Sequence, residues 1–95
     1  MSFNWSNFNI DINIGPNGIA NEVRRIISID NPNITVKDFF TLMIKKMDQS
    51  NQPFEKAILD FSIAAWVYKI HKDDSIKQTF IKKWERLVVV VSEIV

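Results

Sequence analysis

The chain has 95 residues, 46 % of them apolar, including seven Phe, three Trp and one Tyr; this suits one small globular domain and excludes a disordered chain. Twelve Lys and Arg against eleven Asp and Glu leave a net charge of +1, so bulk charge singles out neither nucleic acid nor an acidic partner. With no cysteine there is no disulfide frame or thiolate site, and no basic stretch followed by an apolar run follows Met1; the expected setting is cytoplasmic, without a membrane.

Composition changes near residue 34. Eight of the nine Asn lie at or before Asn33, together with both Gly and two of the three Pro. The front third favours loops and turns, and the remainder favours helices. In residues 7–14, Phe8, Ile10, Ile12 and Ile14 alternate with Asn7, Asn9, Asp11 and Asn13. That period of two predicts an extended, strand-like arm with one wet face, with Phe3 and Trp5 ahead of it as anchors. A lone strand is not stable, so the arm is expected to lie over helices or pair with another copy. Gly15-Pro16-Asn17-Gly18 reads as a turn.

Four helices follow. The first spans 19–29, with Ile19, Val23, Ile26 and Ile27 at helical spacing, and stops at Asp30-Asn31-Pro32-Asn33. The second spans 36–48, capped by Thr35 with Asp38 in its first turn, and carries a stripe of Val36, Phe39, Phe40, Met43, Ile44 and Met47. Pro53 suits the first turn of the third, 53–70. Asp73 or Asp74 caps the fourth, 75–95, whose stripe is Ile76, Phe80, Trp84, Leu87, Val91 and Ile94, widened by Ile81, Val88 and Val95. The β-branched run Val88–Val91 makes a strand from Leu87 to Val95 the competing reading there, and the periodicity upstream favours helix. The expected fold is a single all-α domain: a small bundle of about four helices behind an extended arm and turn over 1–18.

The third helix organises the rest. Between Ser62 and Tyr68 it carries no charge, and it is too short a run to span a bilayer. At 100° per residue, Phe54, Ala57, Ile58, Phe61, Ala64, Ala65 and Tyr68 form one apolar stripe, and Leu59, Ile63, Trp66 and Ile70 form a second about opposite. A helix with two such stripes is sandwiched. Either the other helices of the chain enclose it, or the Trp66 stripe meets another protein. Val89 and Val90 also fall off the core stripe of the last helix, among Lys82, Lys83, Arg86 and Glu93.

Little here points to catalysis. His71 is the only histidine, and with Asp73 and Asp74 it reads as helix-end chemistry rather than a metal set, which needs three or four converging ligands. Asp60 has no acidic mate one turn away. No phosphate-cradling glycine loop is present. The chain is therefore expected to be no enzyme and to carry no metal or cofactor. The favoured reading is a helical protein–protein interaction module of adaptor, assembly or inhibitor type. Its interface set is Phe3, Trp5 and Phe8 on the arm, Leu59, Ile63, Trp66 and Ile70 on the third helix, and Val89, Val90 and Val95 on the last. The partner is a second protein, a further copy of the chain, or both. The alternative is a small nucleic-acid-binding protein using Lys69, Lys72, Lys82, Lys83 and Arg86.

Overall fold

The structure, a computed structural model, describes residues 12–94. Among them the chain forms a 3-10 turn, Ile12–Ile14, and four α-helices: α1 Gly15–Ile29, α2 Val36–Gln49, α3 Pro53–Ile70 and α4 Asp74–Ile94. The all-α expectation holds, with no strand among the described residues.

The expectations at the front of the chain need correction. Ile12–Ile14 is a helical turn rather than extended, while residues 1–11 of the expected arm lie outside the described residues, as does Val95. The Gly15-Pro16-Asn17-Gly18 turn is the first turn of α1, so this helix starts four residues before Ile19. Turn residues and helix-start residues coincide for a physical reason. Gly15 takes φ 80, which redirects the chain. Pro16 then falls where the missing N–H is not needed and its fixed φ suits the helix. At the far end of α1, the Asn31 side chain donates to the Ile27 carbonyl at 3.2 Å, satisfying one of the last acceptors.

The other boundaries agree with the sequence to within a residue. Thr35 has extended backbone, and its Oγ1 accepts the Asp38 amide at 3.2 Å. Between α2 and α3, Ser50 is buried. Its Oγ accepts the Gln52 amide at 3.1 Å and donates to Glu55 at 2.9 Å, which fixes the turn ahead of Pro53. Asp73 caps α4, accepting the Ser75 amide at 2.8 Å and the Ser75 hydroxyl at 2.7 Å. Leu87–Ile94 is helix. Leu87 and Val90 anchor it in the core, and tertiary burial outweighs the weak helix preference of consecutive valines.

α3 is the hub, in contact with each of the other three helices. One face meets α4: Phe61 stacks on Phe80 at 5.5 Å and leans on Trp84 at 5.3 Å, and Tyr68 stacks on Phe80 at 5.6 Å. The other face meets α1 and α2. There Trp66 packs edge-on against Phe39 at 6.2 Å and its Nε1 donates to the Ala20 carbonyl of α1 at 3.3 Å. Ser62 is fully buried beside this face and remains satisfied by donating to the Ile58 carbonyl one turn back, at 2.7 Å. The sandwich of α3 is thus made within one chain.

That closes part of the interface set. Leu59 is 1 % exposed, Trp66 8 % and Val90 5 %, so all three belong to the chain's own core. α1 and α2 cover the stripe at Trp66, and Leu59 lies in the same core cluster. Val90 stands about 60° around α4 from the fully buried Leu87, close enough for the core to extend over it. The stripe of α2 is likewise rotated, with Phe39 and Met43 buried, Leu42 half-buried against the core, and Val36 and Ile44 exposed.

Candidate docking groove

Where the start of α2 passes the end of α3, core side chains come to the surface. Phe39, Phe40 and Trp66 form the apolar floor of a groove of about 250 Å³, and Ile34, from the loop before α2, closes one side. Two aliphatic side chains at its edge are open to solvent: Val36 is 57 % exposed and Ile70 51 %. Their exposure follows from position. Val36 is the first residue of α2 and Ile70 the last of α3, so each stands beyond the reach of the helices that bury its neighbours.

The polar part of the rim is basic. Arg24 of α1 and Lys69 of α3 both line the groove. The Arg24 Cζ lies 4.7 Å from the Trp66 ring centroid and the Lys69 Nζ 4.4 Å from it, distances at which a cation is attracted to the face of the indole. Arg24 also reaches the Phe39 ring, at 6.0 Å. Among the described residues neither cation is ion-paired. The acid nearest in sequence to Arg24, Glu22, is taken by Arg25, whose Nε donates to it at 2.9 Å. That hydrogen bond and charge hold the Glu22 carboxyl below its usual range. The remaining polar group on the rim is Thr35, whose hydroxyl oxygen is engaged in capping α2.

The groove joins residues expected to act separately. Trp66 and Ile70 come from the interface set and Lys69 from the basic set. Arg24, Ile34, Thr35, Val36, Phe39 and Phe40 complete it and were not legible as site residues, because a helix wheel describes one helix at a time. Ile63 leaves the Trp66 side and lines a shallow cleft toward α4 with Ile76 and Lys83. Val89 is 53 % exposed on the outer face of α4, near the partly exposed Ile81 and Val88. Phe3, Trp5, Phe8 and Val95 lie outside the described residues.

The basic set does not form one surface. Lys83 pairs with Asp60 of α3 at 2.8 Å. Lys83 and Arg86 border a polar cleft that also contains Asp48, Lys56 and Asp60. On α3, Asp60 and Lys69 stand about 180° apart, so the Lys83–Arg86 region and the Lys69 groove occupy different sides of that helix. Lys72 is exposed in the turn before α4, and Lys82 is exposed on α4. Among the described residues no three metal-ligating side chains gather, and no helix is long and apolar enough to cross a membrane.

These features define, among the described residues, a small bundle of four helices with a basic-rimmed apolar groove. No protein-family model, curated protein or solved structure matches the chain.

Proposed function

We propose that the protein is a non-enzymatic, cytoplasmic interaction module that docks a protein partner in the groove between α2 and α3. The observation that carries this reading is the juxtaposition of solvent-open Val36 and Ile70 with the Trp66–Phe39–Phe40 floor. An apolar patch with a polar rim is the surface chemistry of recognition. The volume of about 250 Å³ is below the ~300–1,000 Å³ of small-molecule sites but suits one or two anchoring side chains. Among the described residues its lining holds no carboxylate or imidazole, and Lys69 is the side chain there of a type used in general acid–base work.

A display library of peptides provides the test. The wild-type chain enriches binders, and the single variants Val36→Lys and Ile70→Lys, both at exposed positions, lose them while keeping the wild-type melting transition. Binders that hold equally well to the groove variants contradict the proposal, as does a failure to enrich any. Sedimentation with the same variants covers the self-docking form of the reading. A dimer that both substitutions dissociate would make the partner a second copy.

A further inference from the structure

Resting on that reading, we infer that the groove selects an acidic–apolar protein segment, in which one large aliphatic or aromatic side chain enters against Trp66, Phe39 and Phe40 and a neighbouring Asp or Glu lies with Arg24 and Lys69. Charge complementarity names the occupant. Two cations are held against one indole ring, at 4.7 and 4.4 Å from its centroid, and so stand no more than about 9 Å apart, within the roughly 10 Å over which charges interact at ordinary ionic strength. Like charges brought together raise the local positive potential, and an added carboxylate relieves it. Among the described residues neither cation is ion-paired, and Glu22, the acid nearest in sequence to Arg24, is held by Arg25.

The ring also limits the freedom of both cations, so less conformational entropy is lost when they meet an anion. Arg24 adds a planar fork suited to two hydrogen bonds with one carboxylate. A nucleic acid fits less well. Trp66 is 8 % exposed and carries the cations on its ring, which leaves little open π-face for a base to stack on. The further cations such a ligand would need, Lys83 and Arg86, lie in another cleft.

The test repeats the peptide selection on the full chain and on two variants. In Arg24→Glu/Lys69→Glu the charge is reversed; in Arg24→Gln/Lys69→Met the charge is removed while most of each stem remains over the ring. The wild type should enrich peptides with an acid within one helical turn of a large apolar residue. The neutral variant should bind those peptides about tenfold or more weakly, and the reversed variant should enrich basic–apolar peptides instead. Circular dichroism confirms the fold of each, and the neutral variant decides the matter if the reversed one unfolds.

Peptides enriched for apolar residues alone, or an acidic consensus that both variants retain, would overturn this inference while leaving the docking groove in place. Loss of all selectivity for the groove, seen as unchanged binding to Val36→Lys and Ile70→Lys, would remove both. A generic DNA oligonucleotide that binds with steep salt dependence and competes with the peptides would replace the acidic segment with nucleic acid.

Discussion

Trp66→Ala is the most informative single change, because Trp66 lies both in the core and at the groove. Burying a Trp covers roughly 150–250 Å², which at about 25 cal/mol per Å² corresponds to ~4–6 kcal/mol as an upper figure. Measured Trp and Phe truncations in cores fall at about 3–5 kcal/mol. The substitution also removes the indole N–H to the Ala20 carbonyl, the edge contact with Phe39 and the ring that holds Arg24 and Lys69. For a domain of this size, each kcal/mol shifts the melting temperature by roughly 4–8 °C, so a drop of about 12–40 °C is expected. Trp66→Phe keeps an aromatic ring and loses the N–H donor, and the Ala20 carbonyl keeps its place in the α1 ladder. It should cost about 1–2 kcal/mol. Thermal and urea denaturation followed by circular dichroism would measure both. If Trp66→Ala melts within a few degrees of wild type, Trp66 does not hold α1, α2 and α3 together, and the assignment of its stripe to the chain's own core is wrong.

Neighbouring valines on α4 should behave oppositely. Val90→Glu places a charge at a 5 % exposed position and should unfold the domain, whereas Val89→Glu, at 53 % exposure, should change stability by about 0.5 kcal/mol or less in urea titration. Gly15→Ala forces a side chain into the φ 80 conformation and should cost about 1–2 kcal/mol, read from the urea midpoint. The Ser75 hydroxyl, then the Ser75 and Ile76 amides, hold the Asp73 carboxyl below its ordinary value of 3.8. A carboxyl lowered in the folded state contributes stability that is complete above that value and is lost as pH falls through the lower, folded one. The Ser75 and Ile76 amide resonances should therefore titrate together below the usual carboxylate range, and Asp73→Ala should abolish that titration.

Several elements were legible because local chemistry decides them. Pro53 marked the start of α3, Thr35 with Asp38 marked α2, and the Phe80–Trp84–Leu87–Val91 spacing carried α4 through a valine run that alone suggests a strand. The wheel of α3 correctly showed two apolar faces, but it could not show what covers them, since that depends on how helices distant in sequence pack. The burial of Trp66 required α1 and α2, and the burial of Val90 required the placement of α4 on α3. The groove was hidden for the same reason. It joins Arg24, Ile34 and Val36 with Trp66, Lys69 and Ile70, and no local window contains both groups. At the front of the chain the miss was of another kind. Alternation through Ile12 and Ile14 suggested an extended arm, yet Gly15 and Pro16 start a helix there, and the preceding turn winds with it.

The central claim, that partners dock in the groove between α2 and α3, is tested most directly by following tryptophan indole N–H resonances while a selected peptide is titrated into the isotopically labelled full chain. The Trp66 indole and the Val36 and Ile70 amides should shift and saturate together, with the Trp84 indole unmoved. Saturable binding that shifts Ile81, Val88 and Val89 on α4 and leaves Trp66 unchanged would place the docking surface elsewhere and contradict the account.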